Sequence, residues 1–134
     1  MTDDVVARLL AYDTWAVVGL GGDPGRPAYG VATFLAQQGK RIVPVHPRAP
    51  EVLGQQGYRT LAEIPFPVDV VDVFRRSDQA GRFADQAVAI GAKGVWFQLD
   101  IVDDEAYART VGAGLDMVMN RCPRIEWPEN SRHP

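Results

Sequence analysis

The chain of 134 residues has a formal net charge of −3, and 46% of its residues are hydrophobic. This length and apolar content fit one domain that covers both faces of a central sheet, and they argue against a two-domain enzyme. Because the chain is weakly acidic and lacks a run of like charge, we expect no nucleic acid and no membrane surface among its partners.

The predicted cellular location is cytoplasmic. The single cysteine, Cys122, excludes an internal disulfide framework, and the opening MTDDVVARLLAYD has acids where a signal peptide requires basic residues. No apolar stretch approaches the roughly 20 residues that a membrane-spanning helix needs.

The apolar pattern predicts helices that alternate with strands along the chain. Thr2, Asp3 and Asp4 are suited to cap a first helix over residues 3–12. Apolar spacing at i, i+3, i+4 and i+7 predicts further helices over 28–35 and 80–88, ended by Gly39 and Gly91, and acids at 103–105 open another. The predicted strands are 15–19, 41–45, 68–74, 94–98 and 115–119.

A proline within the second strand and two irregular segments interrupt this regular pattern. Pro44 lacks a ladder donor, which marks the second strand as an edge or its end. Residues 46–67 are rich in Pro and Gly and predict an irregular connection with one short helical turn, and the tail 123–134 is predicted to be irregular.

The whole pattern predicts an α/β fold over residues 1–134, with its core at about 14–126. Its architecture is a single doubly wound, Rossmann-like parallel sheet of five strands with helices on both faces.

The segment TWAVVGLGGDPGRP joins the first strand to the second helix through a glycine-rich loop. Gly19, Gly21 and Gly22 let the backbone turn and approach a ligand closely. Pro27 suits the first position of the following helix, whose N-terminus offers unpaired N–H groups to an anion. The loop therefore predicts a phosphate-binding site.

Basic residues follow three of the predicted strands at their carboxyl ends. Arg26 follows the first strand, His46 and Arg48 follow the second, and Arg75 and Arg76 follow the third. Because these ends share one edge of a parallel sheet, the arginines favour a polyanionic ligand there. The alternative is a solvated rim of surface arginines. We expect Arg75 and Arg76 to divide, one toward the ligand and one toward water.

The loop matches the dinucleotide fingerprint G-x-G-x-x-G only in part, because Pro24 occupies the third glycine position. No acid follows the second strand to accept from the ribose hydroxyls of NAD. Cations in that place suit a phosphate on the ribose, as in NADP or coenzyme A (CoA).

Four ordered motifs carry a family resemblance: VVGLGGDPGRPAYGVATFLAQQGKRIVPVHP, DVVDVFRR, GAKGVWFQLDI and NRCPRIE. Together they resemble the small stand-alone CoA-binding domain family over residues 14–126. That family is similar to the CoA-binding domains of succinyl-CoA synthetase α chains and of ADP-forming acyl-CoA synthetases. The resemblance implies CoA or a short acyl-CoA as the ligand, with its phosphates on the glycine loop and its adenosine end beside the turn after strand two.

Carried over by position, and joined by neighbours that face the same edge, the candidate ligand-binding residues are Gly19, Leu20, Gly21, Gly22, Arg26, Tyr29, His46, Pro47, Arg48, Phe74, Arg75, Arg76 and Gln98. Tyr29 and Phe74 have the alternative of packing in the core. Trp96, which alternates with Gln98 along strand four, is predicted to be core. The family often has serine at Gly21, asparagine at His46 and aspartate at Asn120.

The residues give no constellation for catalysis. His133 lies in the tail, so no metal cluster of the usual His/Cys kind is predicted, and Ser77 and Cys122 have no evident base nearby. Cys122 follows the fifth strand, where a thiol could form a mixed disulfide with the coenzyme thiol, although a lone cysteine is usually inert. The sequence thus favours binding without chemistry of its own. An NADP-binding oxidoreductase or a subunit of one is the alternative, and an interaction module that reports acyl-CoA status to an unknown protein partner is a third.

Overall fold

The computed structural model describes residues 3–130, and the side chains of residues 4–128 within them. The helices are α1 (Asp3–Ala11), α2 (Pro27–Gln37), α3 (Ser77–Ala89), α4 (Asp104–Gly112) and α5 (Pro123–Asn130). The strands are β1 (Thr14–Val18), β2 (Arg41–Val45), β3 (Val70–Val73), β4 (Gly94–Phe97) and β5 (Asp116–Val118). One 3₁₀ turn at Leu61–Glu63 is the short helical turn predicted between β2 and β3.

The five strands form one sheet in the order β2-β1-β3-β4-β5, and every pair is parallel. The predicted Rossmann-like α/β fold is therefore confirmed. The chain goes from β1 outward to β2 and then returns to place β3 on the other side of β1. This reversal of strand order creates a crevice at the carboxyl ends of β1 and β3, where ligands bind in open α/β sheets.

Alternation along the strands divides the core into two layers, because successive side chains point to opposite faces. Trp15 and Val17 of β1 pack with α1 and α2, whereas Ala16 and Val18 pack with α3 and α4. Trp96 is fully buried, as predicted, and lies against Trp15 with ring centroids 5.8 Å apart. Helices therefore cover both faces of the sheet.

The prediction from Pro44 is confirmed, since β2 is an edge strand. The segment around Tyr58 covers the outer side of β2. The Tyr58 N–H donates to Pro44 O (2.9 Å) and the His46 N–H donates to Tyr58 O (2.9 Å). This cover protects a sheet edge that would otherwise expose unpaired backbone groups, and it fixes the turn that carries His46.

The prediction of an irregular tail after Cys122 is wrong for residues 123–130, which form α5. The helix has a proline inside it and only weak apolar periodicity, so the local sequence does not reveal it. Tertiary contact stabilises it instead: Trp127 lies edge-on to Phe34 of α2 with ring centroids 5.8 Å apart, and Lys40 Nζ lies 5.5 Å from the Trp127 ring. Thr2 and residues 131–134, with His133, lie outside the described part.

Strand β3 begins at Val70 rather than at residue 68. Asp69 instead joins the start of β1, since its N–H donates to Thr14 O (3.0 Å) and its Oδ2 accepts from the Thr14 N–H (3.0 Å). No helix within residues 3–130 has the length and apolar character needed to cross a membrane.

Candidate functional site

A cavity of about 980 Å³ opens at the carboxyl edge of the sheet. It unites the three segments that the sequence placed there, one after each of β1, β2 and β3. The predicted residues that line it are Gly19, Gly21, Gly22, Arg26, His46, Arg48, Phe74, Arg75, Arg76 and Gln98. Its volume lies within the range of small-molecule and cofactor sites.

Three predicted residues do not line this cavity. Leu20 is fully buried in the core beneath the glycine loop, and Tyr29 packs half-buried against the same core. Pro47 lines a smaller neighbouring cavity of about 220 Å³. Leu20 and Tyr29 thus support the loop from below.

Gly19 is the point at which the three segments meet. Its N–H donates to Val45 O (2.8 Å), and the neighbouring Val18 O accepts from the Phe74 N–H (3.0 Å). Its φ is +96°, and a Cβ at this position would lie 2.9 Å from Phe74 O. Only glycine combines this positive φ with so close an approach of two strand ends.

His46 faces the glycine loop from the end of β2. Its Nδ1 accepts from the Arg48 N–H (3.1 Å), so in a neutral ring the proton lies on Nε2. Nε2 is 3.4 Å from the position of a Cβ on Gly21. The ring therefore presents an N–H to the loop, and a Cβ at Gly21 would lie at ordinary van der Waals distance from it.

The loop and the start of α2 present unpaired backbone donors. The N–H groups of Gly21, Gly22 and Ala28 make no hydrogen bond to any residue between 3 and 130. Pro27 occupies the first turn of α2 as predicted, and Arg26 precedes it at the N-cap without a side-chain cap. Free N–H groups at a helix N-terminus attract anions.

The arginines at the cavity differ in their pairing. Arg26 lies 3.8 Å from Asp23, and Arg76 lies 3.3 Å from Asp78, in exposed pairs that contribute little to stability. Arg48 and Arg75 form no ion pair with any described residue. Arg75 and Arg76 both line the cavity, and Arg75 also lines the smaller one. Arg75 is half-buried whereas the Arg76 side chain is exposed, and their division between ligand and water stays a prediction.

The chain matches the model of a known protein family over most of its length. The model of the family described as the CoA binding domain matches residues 13–128. The chain belongs to the CoA binding domain family.

Two relatives of this CoA binding domain match most of its length. The uncharacterized protein YneT of Bacillus subtilis (strain 168) is 36% identical over 110 residues, which cover 82% of each chain. A hypothetical protein from Pyrococcus horikoshii OT3 has a TM-score of 0.90 at 35% identity, covering 97% of this chain and 92% of that one.

A larger enzyme contains the same fold. An acetyl-coenzyme A synthetase from Ca. Korarchaeum cryptofilum matches 87% of this chain with 27% of its own length, at a TM-score of 0.73 and 23% identity. This likeness is one of fold.

The cavity of the CoA binding domain also has a fourth side, which was not predicted from the sequence. Leu99, Asp100 and Ile101 line it from the loop after β4. Ser77 and Asn120 hold this loop: Ser77 Oγ accepts from the Val102 N–H (3.0 Å), and Asn120 Oδ1 accepts from the Asp100 N–H (2.7 Å). The position of this loop after a strand was the available signal, since every such loop reaches the same edge.

The inner wall of the cavity contains Gln98 and Cys122, with the buried Asp72 deeper in the sheet. Gln98 is 6% exposed and its Oε1 has no hydrogen-bond partner among the described residues. Asp72 is fully buried, and neither of its carboxylate oxygens has a described partner. Burial raises the pKa of Asp72 well above its ordinary value, because an apolar environment favours the neutral carboxyl over the carboxylate.

The described residues contain no cluster of three or more His, Cys, Asp or Glu side chains placed to hold a metal ion. The chemical groups at the cavity include backbone N–H donors, four guanidinium groups, the His46 imidazole, one amide and one thiol, together with the carboxylates of Asp23 and Asp100. This set suits the binding of an extended anionic molecule.

Proposed function

We propose that the chain binds CoA or a short acyl-CoA in the large cavity and has no catalytic activity of its own. The observation that supports this most is the convergence of the glycine loop, the His46 turn and the Phe74–Arg76 turn on one cavity. Membership of the CoA binding domain family gives the ligand class.

The polarity of the cavity supports the same ligand. The exposed rim carries Arg26, Arg48 and Arg76, whereas Val31, Ile101 and Cys122 are buried side chains of its lining. CoA has a matching polarity, since its ADP 3′-phosphate end is strongly anionic and its pantetheine arm is uncharged. The free N–H groups of Gly21, Gly22 and Ala28 would receive the pyrophosphate, and the arginines would neutralise it.

Isothermal titration with CoA, acetyl-CoA and NADPH tests this proposal. We expect saturable binding of CoA or acetyl-CoA and much weaker binding of NADPH, which has the 2′-phosphate but lacks the pantetheine arm. Binding of NADPH in preference to CoA, together with hydride transfer to an acceptor, would favour an oxidoreductase instead.

Arg26→Ala should weaken CoA binding about tenfold, because it removes a charge-assisted bond to phosphate. It should also reduce the dependence of Kd on salt, since one fewer cation neutralises the ligand. The matched control is Arg124→Ala, which removes an equal charge from an exposed position on α5 that does not line the cavity. Equal effects of the two substitutions would mean that only net charge matters and would contradict the proposed phosphate contact.

A further inference from the structure

Cys122 is the only cysteine of the chain, and it is reached through the cavity. The residue is 8% exposed and belongs to the cavity lining, at the turn between β5 and α5. A reagent that meets this thiol in the folded protein therefore has to enter the cavity. Access through the cavity therefore limits which reagents can reach the Cys122 thiol. A lone cysteine does not by itself identify them.

The backbone places Cys122 close to Gln98. The Arg121 N–H donates to Phe97 O (3.4 Å), and Trp96 Nε1 donates to Arg121 O (2.7 Å). The turn after β5 thus lies along the end of β4, with Cys122 and Gln98 each one residue beyond these contacts. Both side chains line the same cavity.

Gln98 supplies an independent indication of a ligand at this wall. It is a polar side chain that is more than nine-tenths buried, and its Oε1 lacks a partner among residues 3–130. A buried amide oxygen without a donor is costly, so a donor from a bound molecule would stabilise it. The last amide N–H of a pantetheine arm is such a donor, and only two methylene groups separate it from the thiol.

We propose that Cys122 captures CoA from its symmetric disulfide, with Gln98 accepting from the pantetheine amide to position the sulfur. The proposal rests on the CoA binding proposed above. It makes the cavity a site in which the oxidised form of the coenzyme is fixed covalently, while the thiol and acyl forms bind reversibly.

The step is a thiol–disulfide exchange. Cys122 loses its proton to solvent, and its thiolate attacks one sulfur of the CoA disulfide. The S–S bond of the disulfide breaks, and a new S–S bond joins Cys122 to one CoA. The other CoA leaves as a thiolate and takes up a proton, so the Cys122 sulfur is oxidised while the departing sulfur is reduced. A reducing thiol reverses the exchange.

The test compares two disulfides of similar intrinsic reactivity. The reduced protein is mixed with CoA disulfide or with glutathione disulfide, and the adduct is followed by intact-protein mass spectrometry. Because binding places the two sulfurs together, we expect the adduct with CoA disulfide to form about tenfold faster or more. It should be released by dithiothreitol, and S-methyl-CoA, a thioether without a reactive thiol, should block both this capture and alkylation of Cys122 by iodoacetamide.

Gln98→Leu tests the positioning role, and it should slow capture from CoA disulfide about tenfold. The same substitution should leave reaction with 2-hydroxyethyl disulfide unchanged, because that reagent has no pantetheine amide. Should this variant fail to fold, the block by S-methyl-CoA on the wild-type chain still tests whether Cys122 captures CoA within the cavity. Equal slowing with both disulfides would overturn the role of Gln98.

Calorimetric titration with S-methyl-CoA separates this proposal from the binding on which it rests. Saturable binding together with rapid, blockable capture supports both. Binding with no adduct, or with an adduct no faster than that from glutathione disulfide, overturns capture and leaves the binding function standing. Absence of binding together with absence of selective capture overturns both.

Discussion

At the scale of single residues, Gly19 couples the ligand site to the stability of the fold. Gly19→Ala should lower the free energy of unfolding by about 2 kcal/mol or more, since it forces a side chain into a positive φ and against Phe74 O. Urea denaturation measures this loss. Gly22→Ala is the matched control, because a Cβ there meets nothing within 4 Å, and comparable losses at both positions would contradict the argument.

The buried Asp72 should make stability depend on pH. Its pKa is raised in the folded chain, so its contribution is complete below the ordinary aspartate value of 3.8 and is lost as pH rises through the folded-state pKa. In that interval the unfolded chain ionises while the folded chain holds the proton. Asp72→Asn should remove this decline, so that its urea midpoint relative to wild type is higher at pH 8 than at pH 4.

Asp116 should make the stability of the fold depend on pH in the opposite direction. Its hydrogen bond to Arg8 lowers the pKa of the carboxyl, so its contribution is present above the ordinary aspartate pKa and is lost as pH falls through the folded-state pKa. Asp116→Asn should therefore destabilise the chain at pH 7 and matter less at pH 3. Urea midpoints at the two values measure this, and the same pH trend in Asp72→Asn and Asp116→Asn would refute the assignment of one of them.

Most of the residues expected at the site could be predicted because a strand end or a glycine loop fixes where a backbone goes. Arg26, His46 and Arg75 reach the cavity for that reason. Leu20 and Tyr29 could not be separated from them, since the direction of a side chain within a loop depends on the packing beneath it. Gln98 was placed near the rim by alternation along β4, but its lack of a partner is a tertiary property.

At the scale of elements, α5 is the helix that could not be predicted from the sequence. It packs on α1 and α2 and begins directly after Cys122, so it fixes one wall of the cavity. A proline at the first helical position is favourable, but Pro128 and a weak apolar stripe gave no local evidence of a helix. The contact of Trp127 with Phe34 compensates for this poor intrinsic propensity.

Trp127→Ala should destabilise the chain by about 2 kcal/mol, because it removes a half-buried aromatic contact. It should also raise the rate at which iodoacetamide alkylates Cys122, since α5 would no longer hold that wall closed. Ile125→Ala is the control, because Ile125 is 61% exposed on the same helix. Alkylation that is unchanged in Trp127→Ala would show that α5 does not limit access to the thiol.

At the scale of the whole molecule, the cavity links three strands that are separated in sequence, so a ligand bound there should stabilise the entire sheet. CoA at a hundredfold excess over its Kd should add about 2.7 kcal/mol to the free energy of unfolding. Thermal unfolding with and without CoA measures this, and NADPH at the same concentration is the comparison. Equal stabilisation by the two ligands would contradict selectivity for the pantetheine arm.

Sequence alone was enough to predict the α/β class, the alternation of helices and strands, the edge position implied by Pro44 and the sharp backbone turn of the glycine loop at Gly19. These follow from local chemistry: apolar periods, a missing N–H and the freedom of glycine. Tertiary structure alone decided the order β2-β1-β3-β4-β5, the helix after Cys122, and which side chains reach the cavity. These depend on contacts between residues far apart in the chain, because packing free energy is shared across the fold and leaves no local pattern.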